Sequence, residues 1–228
     1  MEIIKASGIS FRYGDEPVLS NIDFTVSTGD FVAVIGANGA GKSTMLKLIL
    51  GELEPAAGVI ELFGEDSRKF KDWPRIGYVP QSAYSKLSGF PATVQEIVGS
   101  GLYSKIGLFR FPNESHRERV RWALDKTGMR PFAKKLAGSL SGGQQQRVLI
   151  SRVLVANPDV MLLDEPASGV DAESAASIYD LLGKMSREAG LAVVMVTHDM
   201  AKAKRHVSRV LQLDQGSLVT YPKTMSGT

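Results

Sequence analysis

The stretch Gly36-Ala-Asn-Gly-Ala-Gly-Lys-Ser43 constrains this chain more than any other. It matches G-x-x-x-x-G-K-[ST], a loop whose glycines let successive backbone N–H groups turn inward on phosphate oxygens. The pattern needs a strand before it and a helix after it. Phe31-Val-Ala-Val-Ile35 is the β-branched and aromatic run of a buried strand, and Met45, Leu46, Ile49 and Leu50 follow at helical spacing. The loop therefore opens onto a helix N-terminus, whose dipole adds a positive end. Candidate phosphate-binding residues are Gly36, Ala37, Asn38, Gly39, Ala40, Gly41, Lys42, Ser43 and Thr44. Lys42 can reach the β- and γ-phosphates. The Ser43 hydroxyl can take one position on Mg²⁺, a hard ion that prefers oxygen ligands.

Length and composition narrow the classes around this loop. At 228 residues the chain is one large domain, long enough to bury a substantial core. There is no cysteine, which excludes disulfides and thiolate metal sites and suits a reducing compartment. The first residues lack the apolar region of a secretory signal, and runs such as Leu191 to Val196 fall far short of the ~20 residues a membrane helix needs. A membrane role would have to come through a partner. The net charge of +3 is mild and the basic residues are spread out. Nucleic-acid binding, which calls for a denser basic stripe, is not expected.

Ile3 to Tyr13 and Val18 to Val26 carry apolar residues at strand spacing around the turn Gly14-Asp15-Glu16-Pro17. Val59 to Phe63 and Ile76 to Val79 add two strands. Thr93 to Leu102 and Ser115 to Thr127 read as helices within a lobe spanning roughly 82–138, inserted into an α/β body. From Gln144 onward the chain alternates: helix Gln144 to Ala156, strand Val160 to Leu163, helix Ala172 to Ala189, strand Ala192 to Val196, helix Asp199 to His206, strand Val210 to Leu213. Such alternation predicts a mostly parallel sheet covered by helices.

Asp164-Glu165 ends the apolar strand Val160 to Leu163, at the strand end where ligands bind in such folds. Asp164 can hold the Mg²⁺ shell, and Glu165 can accept a proton from an attacking water. His198 closes the next strand, where an imidazole could hydrogen-bond a γ-phosphate or the water. His116 and His206 lie on polar helical stretches and read as surface residues. Three scattered histidines without cysteine do not make a zinc site.

Leu140-Ser-Gly-Gly-Gln144 opens a long helix with a capping hydroxyl and free N–H groups, an anion site in its own right. Here the chain resembles the ATP-binding subunits of ABC transporters, whose signature is L-S-G-G-Q. The phosphate loop, this signature and Asp164-Glu165 all fall in that family's order, and the resemblance covers essentially the whole chain. It implies a P-loop NTPase core with a mostly parallel sheet, an N-terminal antiparallel β subdomain and an inserted α-helical subdomain. It also implies a head-to-tail pair of copies, each ATP lying between one copy's phosphate loop and the other's Ser141, Gly142, Gly143 and Gln144. Tyr13, in Phe11-Arg-Tyr-Gly14, matches the aromatic that stacks on adenine. Gln81, in Gly77-Tyr-Val-Pro-Gln81, matches the glutamine that senses Mg²⁺ and the γ-phosphate. Ser168-Gly-Val-Asp171 matches the loop touching the opposite subunit, and departs mildly from the commoner Ser-Ala-Leu-Asp.

On the same resemblance, ATP and Mg²⁺ are the expected ligands, with Ser43, Gln81 and Asp164 on the metal and Glu165, His198 and Gln81 at the reacting phosphate. Expected partners are a second copy, multi-spanning permease subunits at the inner face of the cell membrane and, indirectly, an extracytoplasmic substrate-binding protein. Phe90-Pro-Ala-Thr-Val-Gln-Glu-Ile97, Gly107-Leu-Phe-Arg110 and Gln144-Gln-Gln-Arg147 look like the subfamily serving zinc, manganese or iron-chelate uptake. Two alternatives stay open: an ATPase of a non-transport membrane complex, as in cell division, and a soluble ATPase of repair or translation. The chain lacks the coiled-coil insertion of the repair type and the tandem cassettes of the translation type.

Overall fold

Alternating apolar residues in the first 27 positions build a long hairpin, and the Val-rich runs further on build strands buried on both faces. A computed structural model describes residues 1–83, 87, 91–106, 111–198 and 205–222. In chain order the elements are β1 (Glu2–Tyr13), β2 (Glu16–Ser27), β3 (Phe31–Ile35), α1 (Lys42–Ile49), β4 (Ala57–Leu62), β5 (Glu65–Asp66), β6 (Ile76–Val79), α2 (Val94–Ser100), α3 (Tyr103–Ile106), α4 (Glu114–Lys126), α5 (Gly142–Leu154), β7 (Val160–Asp164), α6 (Ala172–Ala189), β8 (Ala192–Val196), β9 (Arg209–Asp214) and β10 (Ser217–Pro222). They fall into two units, Met1–Asp72 with Leu182–Thr228, and Trp73–Leu181.

In the first unit, β1 pairs antiparallel with β2 on one side and β4 on the other. The register sets Ile4 beside Val26, Ala6 beside Phe24 and Ile9 beside Ile22, all buried, so the hairpin's apolar residues share one face. Within the same unit β3 lies parallel between β8 and β9. Every residue of β3 and β8 is buried, the composition expected of a parallel sheet covered on both faces. β9 turns back into β10 through Gln215 and Gly216, both at positive φ (45° and 77°). Two successive positive φ values match the right-handed twist of a two-residue hairpin. Neither β10 nor the short β5 was expected from the sequence.

In the second unit β6 and β7 pair in parallel, Ile76 beside Val160 through Val79 beside Leu163. Helices α2 and α4 pack on α5, and the buried Thr127 hydroxyl lies 2.6 Å from that of Ser151 in α5. Thr93 caps α2 with Glu96 reaching back to its N–H at 2.7 Å. The Thr93 hydroxyl, and then its N–H, hold the Glu96 carboxyl below its ordinary pKa. The expected helix over Asp199 to His206 and the stretch Gly107 to Arg110 lie largely or wholly outside the described residues. His116 lies on the polar helix α4 as expected, half-exposed, and adds a role the sequence did not show: its Nδ1 accepts from the Asn113 N–H (3.1 Å) and closes the cap of α4. His206 is half-exposed too.

Candidate functional site

The loop after β3 is shaped by contacts that leave no room for side chains. Gly36 has φ 157°, and a Cβ there would run into the carbonyl oxygen of Leu213. Gly41 has φ 96°, and a Cβ would meet Val18 Cγ1 at 2.9 Å and Leu19 Cδ2 at 3.0 Å. The β1–β2 hairpin is therefore fitted against the start of α1. Gly41 caps α1 without any side-chain hydrogen bond. Lys42 is buried to 7% exposure, and its Nζ donates to the carbonyls of Gly36 (2.9 Å) and Ala37 (2.8 Å). An ammonium is thereby held across the mouth of the loop. Ala37, Asn38, Gly39 and Ser43 are exposed, Ala40 is half-buried and Thr44 is buried.

Two more candidates share this unit. Val196 at the end of β8 pairs with Val34, and the Thr197 N–H donates to the Val34 carbonyl at 3.0 Å. His198 is thus delivered to the strand end from which the loop springs, and it is exposed. Tyr13 ends β1 beside Glu16, 49% exposed, its ring edge-on to Phe11 at 4.8 Å. It is not the core aromatic that a strand-end tyrosine often is.

The second unit gathers a different set. β7 carries the buried Asp164 at its end, and Glu165 follows half-buried with φ 54°. A non-glycine residue in that region costs roughly 1 kcal/mol or more, a strain that gathers where geometry matters. Its carbonyl accepts from the Ser168 N–H at 3.1 Å. Gln81 sits exposed in a short turn after β6.

Ser141 caps α5 in a reciprocal box: its hydroxyl accepts from the Gln144 N–H at 3.4 Å, and its N–H donates to Gln144 Oε1 at 3.1 Å. Ser141 and Gly142 are exposed, Gln144 is half-buried, and Gly143 is buried. A Cβ at Gly143 would come within 2.5 Å of Ser174 Oγ. Asp171 caps α6, accepting the Ser174 N–H at 2.9 Å. That N–H, and then the Ser174 hydroxyl, hold its carboxyl below the usual aspartate range.

Two side chains that the sequence offered only as part of the subfamily resemblance bind these pieces together. Gln146 Nε2 donates to the Ser168 carbonyl at 2.9 Å, and Arg147 donates to the Thr127 carbonyl at 3.2 Å and to Ser177. Their positions just beyond the signature were visible, but no spacing rule points to their partners.

Similarity to known proteins decides the family. Residues 19–168 match the family model for the ABC transporter. The chain belongs to the ABC transporter family. This ABC cassette is 44% identical over 214 residues to the zinc uptake system ATP-binding protein ZurA of Listeria innocua, covering 94% of this chain and 83% of the relative. It is 40% identical over 211 residues to the manganese transport system ATP-binding protein MntB of Bacillus subtilis, covering 92% and 82%. Its fold matches cbiO1 from Clostridium perfringens, part of the ABC transporter complex cbiONQ, with a TM-score of 0.87 at 29% identity over 97% of this chain and 89% of that one. The dimeric ATP-binding cassette MJ0796, in a post-hydrolysis state bound to ADP and Pi, matches at 0.79 and 30% identity over 97% and 99%.

Among the described residues of this ABC cassette, no group of three or more His, Asp and Glu side chains gathers that could hold a metal. Its candidate metal donors are a hydroxyl, an amide oxygen and a carboxylate. Taken singly, each offers only oxygen, the donor type that a hard ion such as Mg²⁺ takes. Among the described residues no helix is long and apolar enough to cross a membrane.

Proposed function

We propose that this chain is the ATP-hydrolysing subunit of a transporter that takes up a divalent metal, zinc or manganese, and that it works as a head-to-tail dimer with ATP between the copies. The observation that carries the reading is the pairing of two open anion seats in one chain: the glycine loop with Lys42 across its mouth, and the solvent-facing start of α5 at Ser141. The names of relatives at 40% and 44% identity supply the cargo class.

In this reading Tyr13 stacks on the adenine. The amides from Gly36 to Thr44 and the Lys42 ammonium take the phosphates, and the signature residues Ser141 to Gln144 of the other copy take the γ-phosphate from the far side. Preorganised donors of this kind stabilise charge as it develops, without reorganising at the moment of reaction. Glu165 accepts the proton of the attacking water, and His198 and Gln81 orient water and γ-phosphate. Ser43, Gln81 and Asp164 would hold Mg²⁺, which when bound would screen the phosphate charge. Asp171 and its loop face the opposite copy. Closure is favoured while the γ-phosphate bridges both faces, and loss of that bridge lets the copies part. Permease subunits at the inner face of the membrane receive this motion near Gln81, with an extracytoplasmic binding protein delivering the cargo.

Deleting the gene and measuring uptake of Zn²⁺ and Mn²⁺ tests the cargo. High-affinity uptake of one metal should disappear and return with the wild-type chain but not with Glu165→Gln. Unchanged uptake of both metals removes the cargo reading.

A further inference from the structure

The signature end of α5 meets the segment after β7 at three separate points, two of them close approaches at glycines, to the loop and to the first turn of α6, and the third a hydrogen bond. A Cβ on Gly142 would stand 3.3 Å from Val170 Cγ1, and one on Gly143 would stand 2.5 Å from Ser174 Oγ. The third point is polar, from a buried donor to a half-buried residue. Gln146, 2% exposed in the second turn of α5, donates from Nε2 to the Ser168 carbonyl at 2.9 Å. The Ser168 N–H in turn donates to the Glu165 carbonyl at 3.1 Å. One hydrogen-bonded path therefore runs from the helix that opens at Ser141 to the backbone of Glu165, a residue already held at φ 54°.

The terms of this joint are unusual. Gln146 Oε1 is buried and meets no hydrogen-bond partner among the described residues. Leaving such an acceptor unmade costs roughly 1–3 kcal/mol, and a packed aliphatic side chain of the same size would avoid that cost. Packing alone does not account for an amide here. The donor it supplies to Ser168 does.

We propose that Gln146 is a positioning residue that couples the two ATP sites of the dimer. The inference rests on the head-to-tail reading above. In that arrangement one copy's signature touches the nucleotide held by its partner, whereas its Glu165 serves the nucleotide in its own phosphate loop. Engagement of Ser141 at one site shifts α5. Gln146 carries the shift through Ser168 to the backbone of Glu165 at the other. Each site then senses whether the other is closed, and ATP hydrolysis becomes cooperative.

Steady-state ATP hydrolysis by the full chain, measured against ATP concentration, tests this in Gln146→Met and Gln146→Glu, both of which remove the donor at similar length. Wild type should give a Hill coefficient well above 1, toward the limit of about 2 set by two sites. Both variants should fall to about 1 and lose roughly tenfold in kcat, with ATP affinity of the single chain unchanged. Thr127→Val removes the hydroxyl that meets Ser151 of the same helix, and should lower the melting temperature while keeping the wild-type Hill coefficient. A wild-type coefficient of about 1, folded Gln146 variants that keep the wild-type coefficient, or a Thr127→Val chain that loses it would each overturn the proposal. The Glu165→Gln chain separates this from the underlying reading: if it fails to dimerise with ATP, the head-to-tail arrangement itself is wrong.

Discussion

Two helix N-termini in this chain carry the proposed anion seats, and they are finished in opposite ways. α1 starts at Gly41, which offers no capping side chain, and its lysine lies across the loop's own carbonyls. α5 starts at Ser141, whose hydroxyl and backbone are already satisfied in a box with Gln144. The first end is unfinished in that it carries no capping side chain, and on the proposed reading a phosphate takes that place. The second is stable by itself and gives a ligand only what its exposed donors can add. On the proposed reading, the contrast gives persistent nucleotide binding to the loop and conditional binding to the signature, as a clamp that opens on hydrolysis requires.

The largest way to break the contrast lies at the chemistry. Glu165→Gln should retain ATP binding and lower turnover by about 10²–10⁴-fold, leaving a long-lived ATP-bound dimer on gel filtration. Normal steady-state hydrolysis would remove Glu165 as the base. Next comes the unfinished end itself. Lys42→Ala should lower kcat by roughly 10²–10³-fold, together with a loss of ATP affinity in the single chain. Ser141→Arg should leave that single-chain affinity alone and abolish both dimerisation and hydrolysis. Equal effects of these two changes on single-chain affinity would erase the distinction drawn between the ends.

Smaller effects sharpen the account. Gly36→Ala should destabilise the fold by about 1–3 kcal/mol, because the new methyl meets the Leu213 carbonyl. Gly39→Ala, with nothing within 4 Å, should cost only the roughly 1 kcal/mol of a non-glycine residue at φ 82°. Thermal melts of the two variants compare them directly. The smallest effect is on pH. The Ser174 N–H lowers the Asp171 pKa in the folded chain, so ionised Asp171 stabilises the fold above the unfolded pKa, near pH 4, and the gain fades as pH falls through the folded value. Asp171→Ala should narrow the stability difference between pH 6 and pH 3. An unchanged difference would show that this cap contributes nothing to folding.

Much of this was legible in the sequence because it is local. The strand–loop–helix around Lys42, the period-2 hairpin of β1 and β2, and α6 from Ala172 to Ala189 all follow from spacing within a few residues. The L-S-G-G-Q run named both the family and the cap. What escaped depends on partners distant in sequence or on fine turn chemistry. Gln146 is one glutamine among three in a row, and its role exists only because Ser168, 22 positions away, turns its carbonyl toward it. The clash that reserves Gly36 comes from Leu213. β10 hides behind Gln215-Gly216, a weaker turn signal than Asn-Gly. His116 reads as a polar surface residue, and the cap it closes with Asn113 shows only in the fold.

The central claim is that neither seat is a complete site in one copy. Chains carrying Lys42→Ala and chains carrying Ser141→Arg, each also bearing Glu165→Gln and a different tag, are mixed with ATP, and each tag is captured in turn. The account predicts that the two variants capture each other while neither captures a second copy of itself, since only the mixed pair joins an intact loop to an intact signature. Failure of the mixed pair to form, or self-capture by either variant as strong as capture of the other, would contradict it.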